Sequence, residues 1–321
     1  VRISRIEDYL ELRHSDYRGI KLFSGHYRVR NRNRYAASHE PDLVTFLELL
    51  PEGAVFWDVG ANVGFFSIFA ARRGILSLAF EPDQLTCGVL NKNIYLNAVS
   101  ESCVALPIAL NDERMIDVLN MKEFLPANAY NTFGRDKNER GAEFVPTFKQ
   151  GAVGIPADEL PLGPGLAKFA QPDFVKIDVD GNELKVIRGM RERLGKTSFL
   201  CVELADDHPE MPDTRDEIAS LGFEPMDDPR IVDHARLENY FDRSLPVPRT
   251  GPIQLQTHGG EVAWRNVFVR EIDATEANSW LAERGDEQFT PVFNGEDFTG
   301  WSGPTALSSS PTSPIFKNPS A

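Results

Sequence analysis

Residues 56–83 read FWDVGANVGFFSIFAARRGILSLAFEPD. A short apolar run ends in Asp58-Val59, Gly60 and Gly64 follow four residues apart, a helix-like stretch comes next, and a second apolar run ends in Glu81-Pro82-Asp83. Strand, glycine turn, helix and strand make one right-handed crossover between parallel neighbours. The pattern extends in both directions. Upstream, EPDLVTFLELLPEG predicts a helix with Leu43, Phe46, Leu47 and Leu50 on one face, stopped at Pro51-Glu52-Gly53. Downstream, DQLTCGVLNKNIYLNA reads as a helix and CVALPIAL as a strand. After a looser stretch from about Asn111 to Gln171, DFVKIDV, NELKVIRGMRERL, SFLCVELA, TRDEIASLG and LENYFDR resume the alternation. This predicts an α/β fold, a doubly wound Rossmann-like parallel sheet from about Val55 to Arg243 with helices on both faces. Between residues 111 and 171, MIDVLNM, EFVPTF and AVGIPADEL read as short strands of an insertion over the sheet, where substrate selectivity sits.

Composition limits the partners. The 321 residues carry 34 Lys+Arg against 48 Asp+Glu, a net charge of −14, which repels phosphate backbones and argues against nucleic acid. One basic stretch, HYRVRNRNRY, would place Arg28, Arg30, Arg32 and Arg34 on one face of an edge strand. No run of ~18 apolar residues occurs, so no membrane span is expected. No leader is visible after Val1, and Cys87, Cys103 and Cys201 have neither disulfide nor metal spacing. Together these predict core cysteines in a reducing, cytoplasmic setting.

In a doubly wound sheet, ligands bind beyond the C-terminal strand ends where the strand order reverses. Gly60 and Gly64 lie just past the first strand, and Glu81 ends the second, 21 residues after Gly60. That is the spacing of a carboxylate that holds ribose hydroxyls, so the site reads as one for an adenosine-type ligand. A dinucleotide site calls for Gly-x-Gly-x-x-Gly under a pyrophosphate. Here the turn is Gly60-Ala-Asn-Val-Gly64, with Asp58 two residues ahead. A carboxylate there repels a pyrophosphate but suits an ammonium and a sulfonium, both of which S-adenosyl-L-methionine carries.

VFWDVGANVGFFSIFAARRG, AFEPD, FVKIDVDGNELKVIRGM and LCVELADDHPE together resemble the FkbM-type family of S-adenosylmethionine-dependent methyltransferases, from about Glu40 to Arg243. Asp180 departs from the Glu more common in that family. The resemblance implies a class I methyltransferase sheet and transfer to oxygen, commonly a hydroxyl of a sugar, glycan or polyketide-like acceptor. It also implies that Asp58, Gly60, Ala61, Asn62 and Gly64 line the methionine end of the cofactor and Glu81 takes the ribose. Pro82 and Asp83 would shape the adenine side, with Ala109 and Asn111 bordering adenine, and Asp178 would face the transferable methyl.

Methyl transfer needs the acceptor oxygen in line and a proton acceptor within reach. Asp178, Asp180, Glu203 and His208 are the candidates, each with a plainer reading: Asp180 as a cap for the helix near Asn182, Glu203 as a loop brace, His208 as an exposed loop residue. A calcium loop in DVDGNE fails because its first ligand would be Lys176. A magnesium ion on Asp178, Asp206 and Asp207 has no distinctive spacing, so no metal is expected.

The C-terminal part differs in character. GPIQLQTHGGEVAWRNVFVREI reads as a β-hairpin and resembles the closing strands of a 3-keto-disaccharide hydrolase-type domain, whereas FTPVFNGEDFTGW resembles the opening of another. An ending before an opening predicts a truncated or misjoined chain, followed by a Ser/Pro-rich tail expected to be disordered. The expected organisation is an N-terminal extension (1–39), a methyltransferase domain (40–243), a hairpin remnant (244–273) and a tail with a second truncated segment (274–321).

Overall fold

The computed structural model describes residues 9–12, 19–29, 40–137, 143, 145–203, 208–226 and 315–317. The chain divides into two units, Val1–Val247 with Ser310–Ala321 and Pro248–Ser309. The second unit lies outside the described residues, as do LENYFDR, the expected hairpin and the hydrolase-like segments.

In chain order the described elements begin with an antiparallel pair, β1 (Tyr9–Leu12) and β2 (Ile20–Phe23). Then come α1 (Pro41–Leu49), β3 (Val55–Val59), α2 (Phe65–Arg72), β4 (Leu76–Phe80), α3 (Gln84–Leu96) and β5 (Cys103–Leu106). A second group is β6 (Ala109–Leu110), β7 (Met115–Met121), β8 (Thr132–Phe133) and β9 (Phe148–Ile155). The main alternation resumes with β10 (Phe174–Ile177), α4 (Glu183–Arg188), α5 (Arg191–Leu194), β11 (Phe199–Val202), α6 (Met211–Ser220), β12 (Glu224–Pro225) and β13 (Ile315–Lys317).

Seven strands form the main sheet in the order β12-β13-β11-β10-β3-β4-β5. From β11 to β5 all neighbours are parallel, and β13 runs antiparallel between β11 and β12. The doubly wound expectation holds because the strand residues alternate between two buried faces. Phe56, Ala79, Phe174 and Cys201 pack with Phe46 and Leu47 of α1, Ile68 and Phe69 of α2, and Leu90 of α3. Trp57, Leu78, Val175 and Leu200 pack on the other face with Val186, Ile187, Leu194 and Ile218. The Trp57 indole, buried with them, donates to the Phe169 carbonyl at 2.7 Å, so its one polar atom is satisfied.

Chain order reverses between β3 and β10, and the crevice for a ligand opens there. Gly60 follows β3 with φ +80°, and a Cβ on it would overlap the carbonyl of Asp178 just beyond β10. Glycine is therefore required twice over, by conformation and by contact.

Several expectations change in detail. CVALPIAL divides at Pro107, which has no N–H to continue the β5 ladder. Its second half, β6, joins another sheet, of order β6-β9-β7-β8. The helix NELKVIRGMRERL breaks at Gly189, where the backbone passes so close to Asn111 that a Cβ would overlap its carbonyl. The stretch read as an N-terminal extension contributes β2 to the core: Ile20 and Leu22 are buried, and Asn93 of α3 and Asn97, which caps its C-terminal end, bind the β2 backbone. Asn93 and Asn97 are four apart, on one helix face, and so act as a pair. Residues 27–29 are helical, and so the edge strand expected for the arginines does not hold there. Arg28 instead binds Glu123 at 2.5 Å and Asn128 at 3.0 Å. Of the tail expected to be disordered, Ile315–Lys317 is a strand. It supplies ladder partners to β11 and β12, which do not pair with each other.

Among the described residues no helix is long and apolar enough to cross a membrane. Gly60→Ala should destabilise the protein by about 3 kcal/mol or more, through left-handed strain and overlap with a carbonyl that cannot yield. Gly53→Ala, at φ +87° with nothing within 4 Å of its Cβ, should cost only about 1 kcal/mol. Urea unfolding of both variants checks the difference.

Candidate active site

The turn after β3 is built from backbone. The N–H groups of Gly60 and Ala61 both donate to the Phe80 carbonyl at 3.0 Å, hooking the turn over the end of β4. Asn62 takes the left-handed conformation at φ 51°, which Asn tolerates better than most side chains. Gly64, at φ +83°, opens α2, and no side chain caps the helix. The positive end of α2 therefore faces the crevice without a carboxylate of its own.

Glu81 lies beneath this turn and is 8% exposed. Its carboxylate accepts the N–H of Asn62 at 2.9 Å and that of Asp83 at 2.9 Å, so it joins the glycine turn to the Glu-Pro-Asp corner. Burial pushes its pKa up to about 8, against the pull of those two hydrogen bonds. Asp83 caps α3, accepting from Leu85 N–H at 2.9 Å and from the Thr86 hydroxyl at 2.5 Å. Pro82 is held from above by Gln150 of β9, whose amide donates to the Pro82 carbonyl at 2.8 Å and accepts from Gln84 N–H at 3.0 Å. Ala109 is buried in β6. The Asn111 amide bonds the Glu113 carbonyl and the Met115 sulfur in its own turn, which gives it a structural task beside the expected adenine border.

Asp58 lies in β3 with its side chain fully buried; Oδ2 accepts the Ser67 hydroxyl at 2.5 Å, and Oδ1 lies 3.7 Å from the Lys176 ammonium. These contacts tie β3 to α2 and to β10. Burial raises the Asp58 pKa, with Lys176 and Ser67 opposing. Lys176 sits opposite Asp58 in the β3–β10 register and donates to Asp178 Oδ2 at 2.9 Å. Burial alone would lower the lysine pKa, but Asp178, Asp58 and Glu40 together outweigh it and hold the ammonium charged.

Three of the four proton-acceptor candidates converge. Carboxylate oxygens of Asp178, Asp180 and Glu203 lie within 4.8 Å of one another, at the C-terminal ends of β10 and β11. Burial and the charge of Asp178 push the Glu203 pKa far above the ordinary carboxylate range. Asp180, at φ 55°, does not cap α4; it accepts the Tyr130 N–H at 2.7 Å. Glu183 serves the helix entry instead, through the N–H groups of Val179 and Gly181. His208 is buried, not the exposed loop residue of the plainer reading, and its Nδ1 accepts the Glu210 N–H at 3.1 Å. Such a carboxylate spacing would admit a divalent cation. Asp206 and Asp207 lie outside the described residues.

The loop between β7 and β8 reaches over this edge. The Asn62 amide donates to the Asn128 carbonyl at 3.1 Å, Ala127 N–H donates to Thr86 at 3.0 Å, and Tyr130 N–H meets Asp180. Arg135 then binds the Gly181 carbonyl at 2.6 Å and both carboxylate oxygens of Glu210. Residues 127–135 thus touch the glycine turn, the start of α3, the end of β10 and the segment before α6. Lys176, Ser67, Gln150 and Arg135 were given no role from sequence. For Lys176 a signal existed: one cation in the otherwise apolar run FVKI needs a buried partner.

A parallel sheet with this switch point, a glycine turn and an acidic corner define the class I methyltransferase arrangement. The Methyltransferase FkbM domain matches residues 58–225, more than half of the chain, and the chain belongs to that family. S-adenosylmethionine is its cofactor. Methyltransferase sdnD of Sordaria araneosa is 29% identical over 163 residues, covering 44% of this chain and 62% of sdnD. The hexuronic acid methyltransferase AglP of Haloferax volcanii is 23% identical over 246 residues, covering 74% of this chain and 89% of AglP. Among solved structures, magnesium protoporphyrin IX methyltransferase from Synechocystis PCC 6803 aligns with a TM-score of 0.36 at 12% identity, over 63% of this chain and 76% of that one.

Glu81 gives a pH test without ligand. The fold favours its neutral form, so its contribution to stability is complete below the ordinary 4.5 and lost as pH rises through about 8. Glu81→Gln should therefore lose less stability than the wild type between about pH 5 and 8, measured by denaturant unfolding across that range.

Proposed function

We propose that this chain transfers a methyl group to a hydroxyl oxygen of a sugar, glycan or related secondary-metabolite acceptor. The observation that carries this reading is the carboxylate group at the ends of β10 and β11, beside the glycine turn. Gly60 lies against the backbone of Asp178, so the cofactor turn and the candidate base are adjacent. Burial raises the pKa of Glu203, and Asp178 is hydrogen-bonded to the Lys176 ammonium, so within this close pair we assign the ionised role to Asp178. An ionised carboxylate beside a neutral carboxyl can accept a proton and donate a hydrogen bond in one site.

The residues divide the work as follows. Gly60, Ala61, Asn62 and Gly64 offer backbone to the methionine end, and the uncapped start of α2 favours its carboxylate. Glu81 faces the ribose, with Pro82 and Asp83 shaping the adenine side. When bound, S-adenosylmethionine supplies a methyl already activated by its sulfonium. Asp178 accepts the hydroxyl proton as the acceptor oxygen takes that methyl. Asp180 holds the loop at Tyr130, which with Asn128 borders the acceptor side. AglP, a hexuronic acid methyltransferase by name, supports a carbohydrate acceptor. Three buried free cysteines fit a cytoplasmic setting.

Calorimetric titration with S-adenosylhomocysteine should give saturable binding that Glu81→Ala weakens at least ~10-fold, with no signal from NAD. Binding should tighten as pH rises toward about 8, because ribose hydroxyl donors favour the ionised Glu81. With methyl-labelled cofactor and a panel of glycosides, label should enter an ether. Asp178→Asn should lower kcat by about 10²–10⁴-fold while leaving S-adenosylhomocysteine affinity within ~3-fold. Transfer to nitrogen or carbon, or full activity in Asp178→Asn, would overturn the reading.

A further inference from the structure

Lys176 is 2% exposed in the middle of a parallel sheet, between Phe174 and Ile177, which are both fully buried. An apolar residue there would complete the strand without a desolvation cost, so a retained ammonium needs a reason. Its surroundings supply two carboxylates and one cation. Asp178 Oδ2 is 2.9 Å from Nζ, and Asp58 Oδ1 is 3.7 Å away and makes no hydrogen bond of its own. Asp58 is fully enclosed, whereas the Asp178 side chain is 28% exposed. Of the two carboxylates, Asp178 is therefore the one that can meet solvent or a substrate.

We infer that Lys176 is a positioning residue for methyl transfer: clamped between Asp58 and Asp178, its ammonium fixes the Asp178 carboxylate at the end of β10 and ties it to the strand that carries the cofactor turn. This rests on the reading of Asp178 as the proton acceptor. Asp58 acts at one remove, as the counter-charge that keeps Lys176 aligned across the β3–β10 register. The Ser67 hydroxyl in turn holds Asp58 from α2. The start of α2, the glycine turn and the candidate base are thus joined by one line of contacts, Ser67–Asp58–Lys176–Asp178.

Other charged or titratable groups face this line. Glu40, ahead of α1, and Cys201, opposite Lys176 on β11, lie toward the lysine. Glu203 from β11, and Asp180 and Glu183 from the loop and start of α4, lie toward Asp178. The ionised acids oppose ionisation of Asp178, whereas a hydrogen bond donated by Glu203 favours it; Lys176 is the cation within salt-bridge distance of it among the described residues. Removing the lysine should therefore move Asp178 toward its neutral form.

The test is NMR titration of carbon-13-labelled aspartate carboxyls in the full chain, with the Asp178 signal assigned by its loss in Asp178→Asn. In the double variant Asp58→Asn/Lys176→Met, which keeps the buried site balanced, Asp178 should titrate at least about one pH unit higher than in the wild type. In Asp58→Asn alone, where the ammonium has one partner fewer, it should titrate lower; this single variant keeps the test open if the double one fails to fold. An unmoved Asp178 signal in the folded double variant, or no downward shift in Asp58→Asn, overturns the inference. The companion readout is the pH profile of kcat with methyl-labelled cofactor and 4-nitrophenyl glucoside or glucuronide as acceptors. Its acid limb should move with the NMR signal. Should the NMR shifts occur while Asp178→Asn remains fully active, the positioning of the carboxylate stands and its role as base fails, so the two readings separate.

Discussion

The constraint on which the site depends is the approach of two backbones, at Gly60 beyond β3 and Asp178 beyond β10. These strands are neighbours at the point where the strand order reverses, so their ends must diverge to make a crevice. A turn without a side chain lets the first strand's exit lie flat against the second's. The cofactor turn and the carboxylate group that would meet an acceptor are consequently fixed side by side. Had either backbone been held back by a Cβ, the turn would shift relative to Asp178, and an in-line transfer tolerates little displacement.

A second constraint is electrical. The sheet buries Asp58 and Lys176 opposite one another, and the lysine reaches forward to Asp178. Placed in an apolar layer among Phe56, Phe66 and Phe174, each of these charges alone would be costly, and they persist as a group. The same low-polarity surroundings raise the pKa of both Glu203 and Glu81. Acidic groups of one residue type thus acquire different affinities for a proton from burial and from one cation, without any change in side-chain chemistry.

The smaller sheet turns this edge into an enclosed site. Its β7–β8 loop contacts Asn62, Thr86 and Asp180, and Arg135 clamps it to Gly181 and Glu210. Gln150 performs a similar task at the Glu81-Pro82-Asp83 corner. These residues lie in the part of the sequence with the weakest periodicity. Their partners are 41 to 75 residues away, which no local pattern can reveal.

Much of the main sheet was legible because burial on both faces leaves continuous apolar runs, and each run ends at a glycine, proline or acid. VFWDV, LSLAF and FVKI are strands for that reason, and Gly60, Gly64 and Glu81 mark the ligand edge by spacing alone. Local pattern was blind to contacts across the chain. It could not foresee that β2 would bury Ile20 and Leu22 against α3, that Ile315–Lys317 would enter the sheet, or that Asn111 would break a helix by crowding Gly189. Nor could it assign orientation to the acids: Asp58 turned inward to Lys176, Asp180 accepted the Tyr130 N–H, and carboxylate oxygens of Asp178, Asp180 and Glu203 came together. Sequence determined the alternation of elements and the edge at which chemistry occurs, because both follow from periodicity and turn chemistry. Tertiary structure alone decided which carboxylates meet, which are buried and which cation balances them, because those depend on distances between strands far apart in the chain.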